Sequence, residues 1–301
     1  MPSTELQNIN AFLDYIRFQK RYSEHTIVSY RTDLRDFFLF LQKQYDTISP
    51  ADVKPLMVRD WLASLKDAKI SSRSVNRKIS SLKSFFKYQQ KIGAITASPM
   101  AAVTTLKTSR RLPVFMEEKD MEPVFEASEA ELGKWQATLH PLIFTLLYQT
   151  GIRLSELIQL RDDDIDGSRS ALKVLGKGKK ERLIPLQNAL LRNIELYTAE
   201  KRSVFGETGH NYLLVNAKGR PLYPKYVYRL VNSRLSELVT MQRKSPHVLR
   251  HTFATHLSNA GAEINAIKEL LGHSSLAATQ VYTHNSIGRL REIHKQAHPK
   301  S

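Results

Sequence analysis

Through its first hundred or so residues the chain repeats apolar side chains at helical spacing rather than alternating them, which commits this stretch to helices packed on one another. Leu6, Ile9, Phe12, Leu13 and Ile16 form the first apolar stripe, and the pattern stops around Arg21, Tyr22 and Ser23. A second helix starts at Ser23 or Glu24 and turns Ile27, Tyr30, Leu34, Phe37, Phe38 and Leu41 inward. Pro55 leads into a short third helix with Val58, Trp61, Leu62 and Leu65. The fourth follows Ser71 and places Val75, Ile79, Leu82, Phe85 and Phe86 on one side. Four such helices make a small bundle.

On another face of the fourth helix lie Arg73, Arg77, Ser80, Ser84 and Lys87, and no acid occurs between Ser71 and Lys91 to neutralise them. The stripe suits phosphate contacts along a groove, and a solvated helix face has a similar composition. The whole chain leans the same way: 45 Lys and Arg against 29 Asp and Glu leave a formal charge of +16. That excess favours a polyanionic partner, nucleic acid first, through counterion release. With no cysteine, disulfides, thiol nucleophiles and cysteine-bound zinc are excluded, and a reducing compartment is allowed. No apolar run approaches the roughly 20 residues of a bilayer-spanning helix. The first residues, Met-Pro-Ser-Thr-Glu-Leu-Gln-Asn, lack a signal-peptide pattern. The expectation is a cytoplasmic protein with no membrane partner.

From Ala97 to Pro113 the periodicity disappears in a basic stretch with scattered Ser, Thr and Pro, which reads as an interdomain linker. The expected boundaries are a helical domain at 1–106, a linker at 107–113 and a second domain at 114–301. The basic linker suits lying across a DNA backbone as well as it suits a plain tether. The second domain opens with helices over Glu117–Ser128 and Lys134–Gln149, the latter closed by Gly151, and Arg153 starts another. Two β-rich runs within Ala171–Pro185 flank Gly176-Lys177-Gly-Lys-Lys, a hairpin with a cationic tip. The remainder reads as helical, broken at Gly206–Gly209, Lys218–Pro224 and Gly261, and ends in a helix from Ile287 to His298. The expected fold is mainly α: a four-helix domain, then a mixed, mostly helical domain with a small β-hairpin or three-stranded sheet.

Within the second domain Arg153, His247, Arg250, His273 and Tyr282 form a set suited to one phosphodiester. Guanidinium groups pair with phosphate oxygens, imidazoles carry protons near neutral pH, and a phenol can attack phosphorus. His247 and Arg250 stand three apart after Pro246, on one side of a helix start. Arg153 opens a helix just past Gly151, where the helix dipole favours anions, and Glu156 can orient it through an ion pair. Lys177 lies between flexible glycines; a lysine whose pKa is lowered by nearby arginines can protonate a leaving alkoxide. A free phenol titrates at ~10, so Tyr282 needs a base or a cationic field. Taken singly, each has a plainer reading: a solvated His and Arg, a surface ion pair, a solubilising loop lysine, a core tyrosine beside Leu276 and Val281. There is no HExxH motif, and Asp162, Asp163, Asp164 and Asp166 read as a solvated loop, so no metal ligand is assigned.

In order, Arg153, Lys177, His247, Arg250, His273 and Tyr282 resemble the catalytic signature of the tyrosine recombinase (phage integrase) family. The wording around them, Thr-Gly-Ile-Arg-Leu-Ser-Glu-Leu, His-Val-Leu-Arg-His-Thr-Phe-Ala-Thr-His-Leu and Leu-Leu-Gly-His-Ser-Ser-Leu-Ala-Ala-Thr-Gln-Val-Tyr-Thr-His, is similar to Xer-type members, which resolve chromosome dimers. The likeness spans nearly the whole chain: the first domain resembles the family's core-binding, SAM-like domain and the second its catalytic domain. It implies that Tyr282 attacks the scissile phosphate, forming a 3′-phosphotyrosyl link and releasing a 5′-hydroxyl. Arg153 and Arg250 would then clamp the nonbridging oxygens, with Glu156 in support. Lys177 would protonate the leaving oxygen, His247 would serve the tyrosine as general acid and base, and His273 would bond the phosphate. The covalent link conserves the bond energy, so no cofactor is implied. Family members act as four protomers on two DNA duplexes, which implies a homo- or hetero-tetramer with or without a paralogous recombinase. The terminal helix, with Ile287, Leu290 and Ile293, suits docking on a neighbour and packing on its own domain equally. Remaining alternatives are an integrase or invertase of a mobile element, a type IB topoisomerase, and a catalytically silent DNA-binding regulator.

Overall fold

The computed structural model describes residues 4–46, 49–107, 115–125, 133–176, 180–207, 209–238 and 244–272. Its contacts divide the chain into two compact units, Met1–Arg111 and Leu112–Ser301.

In the first unit α1 (Thr4–Asp14) runs on through a π-helical turn at Tyr15–Gln19, and Arg21 then takes a left-handed backbone with φ 52°. Ser23 caps α2 (Glu24–Tyr45) by accepting from the Thr26 amide at 3.3 Å. Pro55 opens α3 (Pro55–Asp67), where its missing amide proton costs nothing, and Ser71 caps α4 (Ser72–Lys91). The expected stripes converge: Phe12, Ile27, Phe37, Phe38, Trp61, Leu82, Phe85 and Phe86 are all buried in one core. Its rings meet edge to face, with Phe37 and Trp61 centred 5.0 Å apart and Phe12 and Phe85 5.5 Å apart.

The acid missing from α4 comes from α2. The Asp33 side chain is wholly buried and accepts from Arg77, from Lys78 at 3.1 Å and from Ser81 at 3.2 Å. Lys78 also reaches Asp36 at 2.8 Å. Arg77 is thus tied into the bundle, which corrects the picture of a stripe without counter-charge; Arg73, Ser80 and Lys87 are exposed and Ser84 is half-buried. Replacing Asp33 with alanine should leave the buried Lys78 with Asp36 alone and free Arg77 to solvent, at a cost of about 2 kcal/mol of unfolding free energy, a loss measurable by urea denaturation.

The linker reading from Ala97 onward also needs correction. Met100 and Val103 are buried in the bundle core, and the Asn76 amide brackets Leu106, donating to its carbonyl at 2.9 Å and accepting from its N–H at 2.7 Å. Side-chain anchoring, which leaves no periodicity, holds this segment to the first unit. Residues 108–114, most of the expected linker, lie outside the described residues.

The second unit opens with a 3-10 turn at Glu118–Asp120 and a short α5 (Glu122–Phe125), not with one helix from Glu117. Pro123 is the reason: it is tolerated in the first turn of α5 and would break a continuous helix. The central α6 (Lys134–Thr150) buries Leu139, Ile143, Leu146 and Leu147 completely, and α7 (Leu154–Leu157) follows within four residues. A three-stranded antiparallel sheet runs β1 (Ile165–Asp166), β2 (Ala171–Leu175), β3 (Glu181–Pro185), with Leu172 opposite Ile184. The Gly176 amide donates to the Lys180 carbonyl at 2.8 Å at the base of the hairpin. Then come α8 (Asn188–Phe205), α9 (Pro224–Leu238), α10 (Pro246–Asn259) and α11 (Ile264–Leu271). The described residues between α8 and α9 are not helical; bridges pair Arg161 with Tyr212 and Val215 with Pro221.

That connection is pinned by the first residue of the acidic run, which is a 3-10 turn and a strand start rather than a solvated loop throughout. Asp162 accepts from the buried Lys201 at 2.7 and 2.9 Å, and the same ammonium donates to the Tyr212 and Leu213 carbonyls at 3.0 and 3.2 Å. His256 is likewise structural: its Nδ1 meets the Tyr148 hydroxyl at 2.9 Å and its Nε2 meets the Met116 carbonyl at 2.8 Å. Burial pushes the Tyr148 phenol well up, so it serves as a donor within the core. The expected terminal helix lies outside the described residues.

Candidate active site

Gly151 ends α6 with φ 59°, and a Cβ at this position would collide with the Phe253 ring and stand 2.9 Å from Leu271. The backbone leaving α6 therefore touches α10 and the end of α11 directly, and this brings Arg153 beside Arg250. Gly151→Ala should lose about 2–4 kcal/mol of stability through left-handed strain plus overpacking, read as a lowered thermal midpoint.

Arg153 is the N-cap residue of α7 and is locked to Glu156 twice. Its amide donates to Oε2 and its Nη1 to Oε1, both at 2.8 Å. This is not the common exposed ion pair, because Glu156 is buried. Arg182 of β3 grips the same carboxylate from the other side, Nη1 to Oε1 at 3.0 Å and Nη2 to Oε2 at 2.8 Å. Burial alone would raise the Glu156 carboxyl; the Arg182 hydrogen bonds, the Arg153 amide and guanidinium, and the Arg182 charge outweigh it and hold the group below the usual carboxylate range. The pairing therefore contributes fully above that range and is lost as pH falls through the depressed value.

Arg250 lies one turn into α10 and is buried. Its Nη1 donates to the Gly151 carbonyl at 2.5 Å and its Nη2 to the Leu271 carbonyl at 2.6 Å. Burial first, and then the charges of Arg153 and Arg182 against the opposing Glu156, lower the guanidinium to about 10, so it stays cationic at neutral pH. Two guanidinium groups thus grip one carboxylate with the Arg250 cation nearby, and an incoming phosphate would relieve the excess positive potential. Arg153 keeps a side open for it, with its side chain 32% exposed. His247 stands exposed on the first turn of α10, three residues ahead of Arg250.

The structure therefore brings Arg153, Glu156 and Arg250 together and sets His247 on the helix that carries Arg250. Lys177, His273 and Tyr282 lie outside the described residues. Arg182 is the residue that sequence reasoning passed over. The signal was available in strand phase: Arg182 shares a face with Ile184, an inward position, and a cation there requires a buried partner. Among the described residues no group of three or more His, Cys, Asp or Glu is placed to hold a metal ion, and no helix is long and apolar enough to cross a membrane.

The family described as "Phage integrase family" matches residues 114–289, and "Phage integrase, N-terminal SAM-like domain" matches residues 9–91. A Staphylococcus saprophyticus protein named Tyrosine recombinase XerC is 36% identical over 291 residues, covering 97% of this chain and 97% of the relative. A Chlorobaculum parvum protein of the same name is 33% identical over 317 residues, covering 97% and 94%. Among solved structures, the XerH site-specific recombinase bound to palindromic difH substrate in a post-cleavage complex has a TM-score of 0.70 at 20% identity, covering 91% of this chain and 77% of that one. The transposon Tn1549 integrase in complex with circular intermediate DNA has a TM-score of 0.68 at 21% identity, covering 94% and 98%. At those identities the structural likeness speaks for the fold: helical N-terminal and mostly helical C-terminal units with one small sheet.

Proposed function

The chain belongs to the tyrosine recombinase (phage integrase) family, enzymes that cut and rejoin DNA, and we propose that it is a site-specific recombinase acting through a 3′-phosphotyrosyl link at Tyr282. The observation that carries this reading is the pair of arginines, Arg153 and Arg250, held by carbonyls and one carboxylate in a cluster with excess positive charge. Such a pair neutralises the charge that develops on a phosphate during in-line displacement, and it is fixed in place before the substrate arrives. The Tyr282 oxygen attacks phosphorus as the bond to the 5′ oxygen breaks. His247 takes the phenolic proton, Lys177 gives a proton to the leaving 5′ oxygen, and His273 bonds a phosphate oxygen. A partner strand's 5′-hydroxyl reverses the steps, so one phosphodiester is exchanged for another without outside energy.

The substrate in this reading is duplex DNA. The Xer names among its relatives favour resolution of chromosome dimers, by four protomers on two duplexes with or without a paralogous partner, in the cytoplasm. Residues 1–106 form the core-binding domain, 107–113 the linker and 114–301 the catalytic domain. Arg73, Ser80, Ser84 and Lys87 face the DNA backbone, and Arg77 joins them from its ion pair, its side chain still 44% exposed. Recombination of a plasmid carrying two cognate sites tests the reading. Strand exchange should persist in excess EDTA, and a supercoiled plasmid without a site should stay supercoiled. Loss of cleavage in EDTA would point to a metal-dependent nuclease, and site-independent relaxation to a type IB topoisomerase.

A further inference from the structure

Arg182 has no part in the chemistry above, yet it is only 5% exposed and all three guanidinium nitrogens are engaged. Nη1 and Nη2 fork onto the two oxygens of Glu156, and Nε donates to the Leu270 carbonyl at 2.9 Å. The Gly272 and Leu271 carbonyls are taken by Arg153, at 3.3 Å, and by Arg250. Three arginines from β3, the start of α7 and α10 thus share three successive carbonyls at the end of α11, where the helix dipole is negative.

Two glycines close on the same guanidinium. A Cβ added at Gly272 would stand 3.1 Å from Arg182 Nη1, and one added at Gly176 would stand 3.6 Å from it. These glycines immediately precede His273 and Lys177 in the chain. Through Glu156 the same group also reaches the amide and guanidinium of Arg153. Lysine cannot reproduce the arrangement, because one ammonium cannot fork onto both carboxylate oxygens while also meeting a carbonyl in the guanidinium plane.

We propose that Arg182 is a positioning residue for strand cleavage: through the Glu156 carboxylate and the carbonyls ending α11 it fixes the Arg153 guanidinium beside Arg250, without touching DNA itself. The proposal rests on the recombinase reading. It differs from a purely stabilising role in one respect: its effect on rate passes through Arg153.

The test is a double-mutant cycle in the full-length protein, combining Arg182→Lys with Arg153→Lys. The readouts are thermal midpoint, affinity for a cognate duplex, and single-turnover adduct formation on a nicked suicide duplex. Arg182→Lys should bind as wild type does and form adduct about 10- to 100-fold more slowly. The double variant should be barely slower than the slower single variant, because both changes disable the same clamp. Losses that multiply, a rate loss that disappears on cooling below the melting transition, or wild-type cleavage by Arg182→Lys would each overturn the proposal. Should Arg182→Lys fail to fold, Arg182→Gln, which leaves Glu156 and its bonds to Arg153 in place, replaces it in the cycle with Arg153→Lys and is read in the same way. Wild-type protein that forms no adduct refutes the recombinase reading itself, whereas normal adduct formation by both wild type and variant refutes only the role of Arg182.

Discussion

Tyr282→Phe is expected to reduce covalent protein–DNA adduct by at least about 1,000-fold while leaving duplex affinity unchanged. The substitution removes one oxygen and keeps the ring, so the cationic surface that binds backbone phosphates is untouched. A nicked suicide duplex makes the result plain, because loss of the short nicked strand traps the link and denaturing electrophoresis displays it. An adduct that persists in the variant would place the nucleophile elsewhere.

Arg250→Ala should slow adduct formation by about 100- to 10,000-fold at saturating protein, the range expected when a fixed charge is removed from the developing transition state. Part of the loss comes from the fold, since the guanidinium also satisfies the Gly151 and Leu271 carbonyls inside the protein. Arg250→Lys separates the two effects. It retains the cation but not the fork to both carbonyls, so its thermal midpoint should recover part of the loss seen with alanine while its cleavage remains slow. Equal recovery of midpoint and rate in Arg250→Lys would mean that Arg250 acts only through stability.

The bundle was legible in the sequence because each helix carries its own apolar stripe and its own start signal: Ser23, Pro55 and Ser71 stand where the chain is capped or begins to coil. Gly151 and the Gly176–Lys180 hairpin base were legible for the same local reason. What was not legible depends on distant partners. Asp33 neutralises Arg77 from 44 residues away, and Lys201 reaches Asp162 from 39 away, so a scan along either helix sees an unpaired charge. Met100 and Val103 are buried by a segment without periodicity. At the site, the two arginines were named through a family resemblance in motif order, with Glu156 as the support for Arg153, and the structure sets these three side by side. The burial of Glu156 and its second arginine could not be read from an i,i+3 spacing that most often marks an exposed pair.

The central claim, one tyrosine joined reversibly to one DNA phosphate with cations of the protein doing the work of a metal, is most directly tested by locating the bond. Wild-type protein would be trapped on a suicide duplex in excess EDTA, digested with nuclease and protease, and the modified peptide identified by mass spectrometry. The expected product is a nucleotide joined through its 3′ phosphate to Tyr282, with a free 5′-hydroxyl on the released strand. A link on any other residue, a 5′-phosphate at the break, or no adduct without metal would contradict the claim.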